Sequence, residues 1–269
     1  MWLNDLDANT GQILFGGVNT DKYHGSLQTV PILTVQGQFP ELLIALSGIS
    51  LNGTTIRSSS LPAAVLLDSG TTLMYLPSGI TTSIYNEVHA AIDTSSGSVT
   101  AYVPCALANQ DKTIDFTFSG IKISVPFNEI VLPSSTSAGS NLQFDDGTSA
   151  CVFGIAPSDG GTAVLGDTFL RSAYVVYDLA NNQISLAQTN FNSTTDNIKE
   201  IQVGSTGVPD ATVVPSPITS AKGIATGGAR LAAVATPTGN VVSGASTPAT
   251  MPAGICFTLV ALLAIGLSA

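Results

Sequence analysis

The chain has 269 residues, of which 44% are hydrophobic and only 10% charged, with a formal net charge of −10. That length holds one large domain or two small ones, and the acidity speaks against nucleic acid as a partner, since such binders need a basic face. An acidic chain suits acid surroundings, where carboxylates lose charge and self-repulsion falls.

Met1 to Asn9 is short and turn-rich. Gly11–Val18 reads as a strand with a glycine bend, Asp21–Ser26 as a loop, and Leu27–Gln36 and Glu41–Leu46 as further strands. Asn52-Gly53 is a strong hairpin turn signal. The next apolar run, Val65-Leu66-Leu67, reads as a buried strand that stops at Asp68-Ser69-Gly70-Thr71-Thr72-Leu73. Ser69-Gly70 reads as a sharp turn in which Gly70 is free to take positive φ. The stretch presents one carboxylate at a strand end, in a pocket walled by Leu66, Leu67 and Leu73.

After Leu76-Pro77 the period changes. Ile80, Ile84, Val88 and Ile92 recur every four residues, which predicts one amphipathic helix over 79–92, begun near Pro77-Ser78. His89 falls on that helix and His24 in a loop; both read as structural or exposed, and no Ser-His-Asp arrangement emerges. Thr113–Phe118 alternates, with Ile114, Phe116 and Phe118 on one face. Ile121–Val125 is a strand that Pro126 ends. Ser134–Gly147 reads as a polar loop, Cys151–Ile155 as a strand and Ser158-Asp159-Gly160-Gly161 as a turn. Ala163-Val164-Leu165-Gly166-Asp167 follows, then a short helix over Thr168–Ser172. Tyr174–Tyr177 and Gln183–Ala187 form a closing hairpin through Asn181-Asn182.

Near Asn190 the composition shifts. From about Val203 to Pro252 the chain is Ser, Thr, Gly, Pro, Ala and Val with almost no aromatics, and reads as a disordered stalk whose Ser and Thr beside Pro suit O-glycosylation. Ile255–Leu267 is apolar but shorter than the ~20 residues of a spanning helix. With Gly244-Ala245-Ser246 upstream across a short polar spacer, it has the pattern of a GPI-attachment signal, with Gly244 as the attachment residue. A tail anchor is the alternative. Two sequons, at Asn52 and Asn192, lean towards the secretory pathway as N-glycosylation sites. The three cysteines, Cys105, Cys151 and Cys256, form no C-x-x-C pair, and with two histidines no zinc or other metal site is expected. Three reduced, buried thiols are one reading of them.

Asp68-Ser69-Gly70-Thr71 and Val164-Leu165-Gly166, with the closing "YVVYDLANNQISLAQ", resemble the C-terminal lobe of a pepsin-like aspartic protease. "GQILFGGVNTDKYHGSL" is similar to the segment that opens that lobe in fungal secreted and GPI-anchored enzymes of the yapsin and candidapepsin kind. The resemblance implies an all-β lobe over 1–190 with one or two short helices; by composition a disordered stalk follows over 191–252 and an apolar GPI-signal segment over 253–269. It implies that Asp68 is one of two catalytic carboxylates. Gly70 N–H and Thr71 steady it, Ser69 bridges to the other catalytic loop, and Val164-Leu165-Gly166 pass beneath. It also implies a disulfide between Cys105 and Cys151, with Cys256 removed along with the tail. No cofactor is implied.

The same resemblance calls for an N-terminal lobe with its own Asp-Thr-Gly loop. No second Asp-[Ser/Thr]-Gly-[Ser/Thr] occurs; Asp145-Asp146-Gly147-Thr148 lacks the apolar strand before it and the hydroxyl after Asp. Met1-Trp2-Leu3-Asn4-Asp5 has neither the basic start nor the apolar core of a signal peptide. The expectation is therefore the C-terminal part of a longer aspartic endopeptidase. Such an enzyme acts on peptide or protein substrates, needs an N-terminal lobe as partner, and reaches the cell surface, plasma membrane or wall once a signal peptide is supplied. Two other readings stand beside it: a catalytically inactive surface glycoprotein, and a homodimeric protease with two copies of Asp68.

Overall fold

A computed structural model describes residues 1–8, 10–39, 41–134 and 142–224. Gly244, Cys256, residues 225–252 of the stalk and the apolar segment lie outside the described residues. In chain order the strands run β1 (Trp2–Leu3), β2 (Gly11–Gln12), β3 (Gly17–Asn19), β4 (Tyr23–Pro31), β5 (Leu43–Leu46), β6 (Gly48–Leu51), β7 (Thr54–Thr55), β8 (Ala63–Leu67) and β9 (Met74–Leu76). Helix α1 (Ser78–Val88) precedes β10 (Ala91–Asp93), β11 (Thr100–Pro104), β12 (Thr113–Phe118), β13 (Ile121–Pro126), β14 (Val131–Leu132), β15 (Ala150–Phe153), β16 (Ile155–Pro157) and β17 (Ala163–Leu165). Helix α2 (Asp167–Leu170) leads into β18 (Ala173–Asp178), β19 (Gln183–Thr189), β20 (Ile198–Glu200) and β21 (Thr212–Val213).

Among the described residues the fold is all-β with two short α-helices, as expected. Strands β16-β9-β17-β8-β5 form one sheet and β18-β19-β4-β21 another; β13-β12-β6-β7 and β10-β11-β15-β14 complete the larger sheets. The alternation read in β12 drives the core: Ile114, Phe116 and Phe118 are fully buried. Phe169 meets Phe116 and Phe118 edge-on at centroid distances of 5.3 and 5.7 Å. Asn52 and Gly53, with φ of 46° and 81°, make the predicted turn between β6 and β7. Cys105 and Cys151 are joined as a disulfide with Cα atoms 5.0 Å apart, at a sequence separation of 46. Closing a loop of that size contributes about 4 kcal/mol in the chain-entropy account.

Three local expectations are corrected. The helix ends at Val88, not 92: His89 takes the left-handed conformation (φ 53°), the Ala90 N–H donates to the Tyr85 carbonyl, and the chain leaves the axis. Ile92 then lies on β10, paired through β11, and is exposed. Asp21–Ser26 is not a loop. One tight helical turn over Thr20–Lys22 opens directly into β4, and the loop-like glycine, Gly25 at φ 73°, falls where the β4–β19 register shifts. His24 is exposed on that strand. Gly11–Val18 is two strands, β2 and β3, broken where Gly16 takes φ 72°.

The largest correction concerns 191–224, expected to carry no packed structure. The buried Lys22 lies over the Trp2 ring and donates to the carbonyls of Ser193 and Thr195. Strand β20 then pairs with β3, β21 pairs with β4, and Val208 and Val214 are buried. Ile218, Ala221 and Ile224 pack on Leu33, Leu43, Ala45 and Ala64. Lys222 exchanges backbone hydrogen bonds with Ala64 and Pro62. The segment has too few apolar residues to fold alone, but a finished lobe offers it apolar surface and open strand edges, and these offset its ordering entropy.

Candidate active site

Strand β8 is held on both sides. Strand β17 runs parallel to it, with Leu165 opposite Leu67, and β5 runs antiparallel as far as Leu43 opposite Leu66. Because β17 also pairs antiparallel with β9, it threads between the strands that enter and leave the loop 68–73. The Asp68 N–H donates to the Leu165 carbonyl at 3.2 Å. On the other side of the crossing, the N–H groups of Asp167 and Thr168 donate to the Thr71 and Thr72 carbonyls at 2.8 and 3.1 Å. Gly166 lies at the crossing: a Cβ there would meet the Thr71 carbonyl oxygen at 2.2 Å and that of Leu73 at 2.5 Å.

The loop grips its own carboxylate. Asp68 Oδ1 accepts from the Gly70 N–H at 2.9 Å, and Oδ2 accepts from the Thr71 hydroxyl at 2.6 Å. One donor on each oxygen fixes the plane of a half-buried carboxylate and leaves its outer lone pairs open. Gly70 does this without positive φ, contrary to expectation; a Cβ there would sit 3.2 Å from Asp68 Oδ1, so the requirement is close approach. Ser69 is exposed. The expected pocket wall is also corrected. Leu67 is buried and Leu73 half-buried, but Leu66 packs on the opposite face with the Leu33 and Leu43 group, because successive side chains on a strand alternate. Asp145 and Asp146 are exposed in a turn where Asp146 accepts from the Thr148 N–H.

The eukaryotic aspartyl protease family model matches residues 1–189. The chain belongs to this family. It is 55% identical over 225 residues to the probable aspartic-type endopeptidase opsB of Aspergillus oryzae, covering 82% of this chain and 45% of that protein. With the protein of the same name from Aspergillus fumigatus the identity is 50% over 260 residues, covering 95% of this chain and 52% of the relative. Aspartic proteinase yapsin-3 of Saccharomyces cerevisiae is 36% identical over 226 residues, covering 80% and 41%. The chain thus spans about half the length of the curated relatives it matches.

Side chains that sequence reasoning passed over brace the elements next to this loop. Arg171, just after α2, is buried; its Nε pairs with Glu129 Oε2 and its Nη2 donates to the Glu129 carbonyl at 2.6 Å. Glu129 Oε1 accepts from the Leu6 N–H at 3.1 Å, so one ion pair joins the chain's start to the segment after Gly166. Tyr177 donates from its hydroxyl to the Leu67 carbonyl at 3.1 Å. The one sequence signal was the charge pair Asp167 and Arg171 flanking α2; nothing local marks Glu129 or Tyr177.

These groups make the stability of the fold depend on pH. Burial raises the Glu129 and Asp167 carboxyls above their ordinary values of 4.5 and 3.8; Arg171 opposes this at both, and the Asp68 charge adds to it at Asp167. Such groups stabilise the fold below their unfolded values and lose that contribution as pH rises through the folded ones. Asp115 goes the other way: burial works against its charge, but hydrogen bonds from Ser124, Lys122 and Thr113 outweigh it. Asp196 is lowered by Asn19 and Lys22. Their contribution is lost as pH falls through their folded values. The thermal midpoint is expected to carry both signatures: a loss as pH rises through the folded values of Glu129 and Asp167, and a loss as it falls through those of Asp115 and Asp196. A midpoint that climbs steadily to neutral pH contradicts this.

Proposed function

We propose that this chain is the C-terminal half of an aspartic endopeptidase and supplies one carboxylate, Asp68, to a two-carboxylate site. The observation that carries the reading is the grip on Asp68, one donor per oxygen at the open end of β8. In paired-carboxylate sites, of which pepsin is the type case, two acids share one proton because they cannot both ionise at close range. One takes a proton from the water attacking the peptide carbonyl, the other donates to the carbonyl oxygen, and the roles then reverse. Asp68 by itself performs either half-step but not both in one transition state. The facing carboxylate belongs to the N-terminal lobe that the longer relatives have room for. Supplying such a lobe and assaying peptide cleavage in acid tests the reading.

The same proposal places the protein in the secretory pathway. The Cys105–Cys151 disulfide suits an oxidising compartment, and both sequon asparagines, Asn52 and Asn192, are exposed as N-glycosylation requires. The apolar C-terminal segment is read as a GPI signal with attachment at Gly244. Expressed in a fungal host behind a signal peptide, the chain is expected to leave membranes on treatment with a GPI-specific phospholipase. Retention after treatment favours a tail anchor.

A further inference from the structure

We propose that Tyr177 is a positioning residue for Asp68, locking the peptide unit through which β8 delivers the carboxylate; this rests on the reading of Asp68 given above. The Leu67 carbonyl and the Asp68 N–H belong to one peptide plane. The N–H end is taken by the Leu165 carbonyl of β17. On the β5 side, pairing stops at Leu43 opposite Leu66, so the Leu67 carbonyl lies one step beyond the ladder. The Tyr177 hydroxyl fills that place at 3.1 Å. Both ends of the plane are therefore held, and rotation about it, which would swing the Asp68 side chain, is blocked.

The donor comes from another sheet. Tyr177 stands on β18, opposite Ile184 of β19, so a single O–H ties the β18-β19-β4-β21 sheet to the tip of β8. Burial raises the phenol above its ordinary value and the Asp68 charge adds to this, so it stays a protonated donor throughout the acid and neutral range. A tilt of the 67–68 plane changes the reach from Asp68 to the Gly70 N–H and Thr71 hydroxyl, and its aim at any facing carboxylate. A displacement of that kind is felt in the chemical step more than in substrate binding.

The test is Tyr177→Phe in the full chain, which keeps the ring and removes only the hydroxyl. Tyr174→Phe is the control. It is a neighbour on β18 whose hydroxyl accepts from the Asn19 N–H at 2.9 Å, away from β8. In the chain by itself, Tyr177→Phe is expected to speed hydrogen exchange of the Asp68 and Gly70 amides about tenfold, with the interiors of β8 and β18 unchanged. Tyr174→Phe leaves those two amides as they were. Paired with an N-terminal lobe, Tyr177→Phe is expected to lower kcat about tenfold with KM within about twofold, sites being counted by inhibitor titration. Unchanged exchange at Asp68 and Gly70, or a uniform loss of protection across the lobe, overturns the proposal. A wild-type pair that cleaves nothing counts against the protease reading, and the exchange experiment still decides the role of Tyr177.

Discussion

Purified by itself and assayed at about pH 3 to 6, the chain is expected to leave peptides uncut. Co-expressed with the N-terminal lobe of a related enzyme, it is expected to cleave them, with inhibition by pepstatin. The expectation follows from a count of carboxylates. Asp68 stands at the open end of β8 with a donor on each oxygen; Asp178, at the end of β18, is also held on both oxygens, but by Asn181 and Gln183 of its own hairpin, and Asp146 sits in an exposed turn. Asp167 is half-buried and its own N–H is spent on the Thr71 carbonyl, so it supports the loop from behind. Among the described residues no facing acid therefore keeps a shared proton in place. Within the reconstituted pair, Asp68→Asn removes the proton acceptor while preserving shape and is expected to cost about 10²–10⁴-fold in kcat. Cleavage by the chain alone that depends on Asp68 would establish a homodimer with two copies of the loop. An inactive pair in which both lobes are folded would establish a surface glycoprotein without catalysis.

Gly166→Ala is expected to abolish that activity and to destabilise the lobe by more than ~4 kcal/mol, the range reserved for severe steric conflict. The added methyl would lie 2.2 Å from the Thr71 oxygen, 2.5 Å from the Leu73 oxygen and 2.8 Å from the Thr71 carbonyl carbon. All three are backbone atoms of the loop that carries Asp68, so no side-chain rotation relieves the contact. Moving the loop aside stretches the hydrogen bonds that Asp167 and Thr168 donate to Thr71 and Thr72. Moving β17 instead breaks its pairing with both β8 and β9. Denaturant titration of the full chain beside wild type measures the loss. A stability within about 1 kcal/mol of wild type would mean that β17 does not pass tightly under the loop. Gly154→Ala is a milder comparison, since its closest neighbour, at 2.7 Å, is a Thr168 methyl, with the Ile130 carbonyl oxygen at 2.9 Å.

Some of this was legible in the residues themselves. The strand into Asp68, the turn at Asn52-Gly53, the buried face of β12 and the hairpin through Asn181-Asn182 rest on neighbours in sequence, and period and turn chemistry report such neighbours directly. Asp68-Ser69-Gly70-Thr71 also fixed the grip on the carboxylate, because the donors stand two and three residues from the acceptor. Other features depend on partners far away along the chain. Tyr177 reaches Leu67 across 110 residues, Glu129 meets Arg171 across 42, and Lys22 holds carbonyls more than 170 residues on. The segment 191–224 shows the difference most clearly. Its composition describes a chain that cannot bury enough apolar area alone, and that remains true of it alone. Only the folded lobe supplies the edges of β3 and β4 and the apolar face of Leu33 and Leu43, so whether the segment is ordered was decided by the surface it meets and not by its own residues.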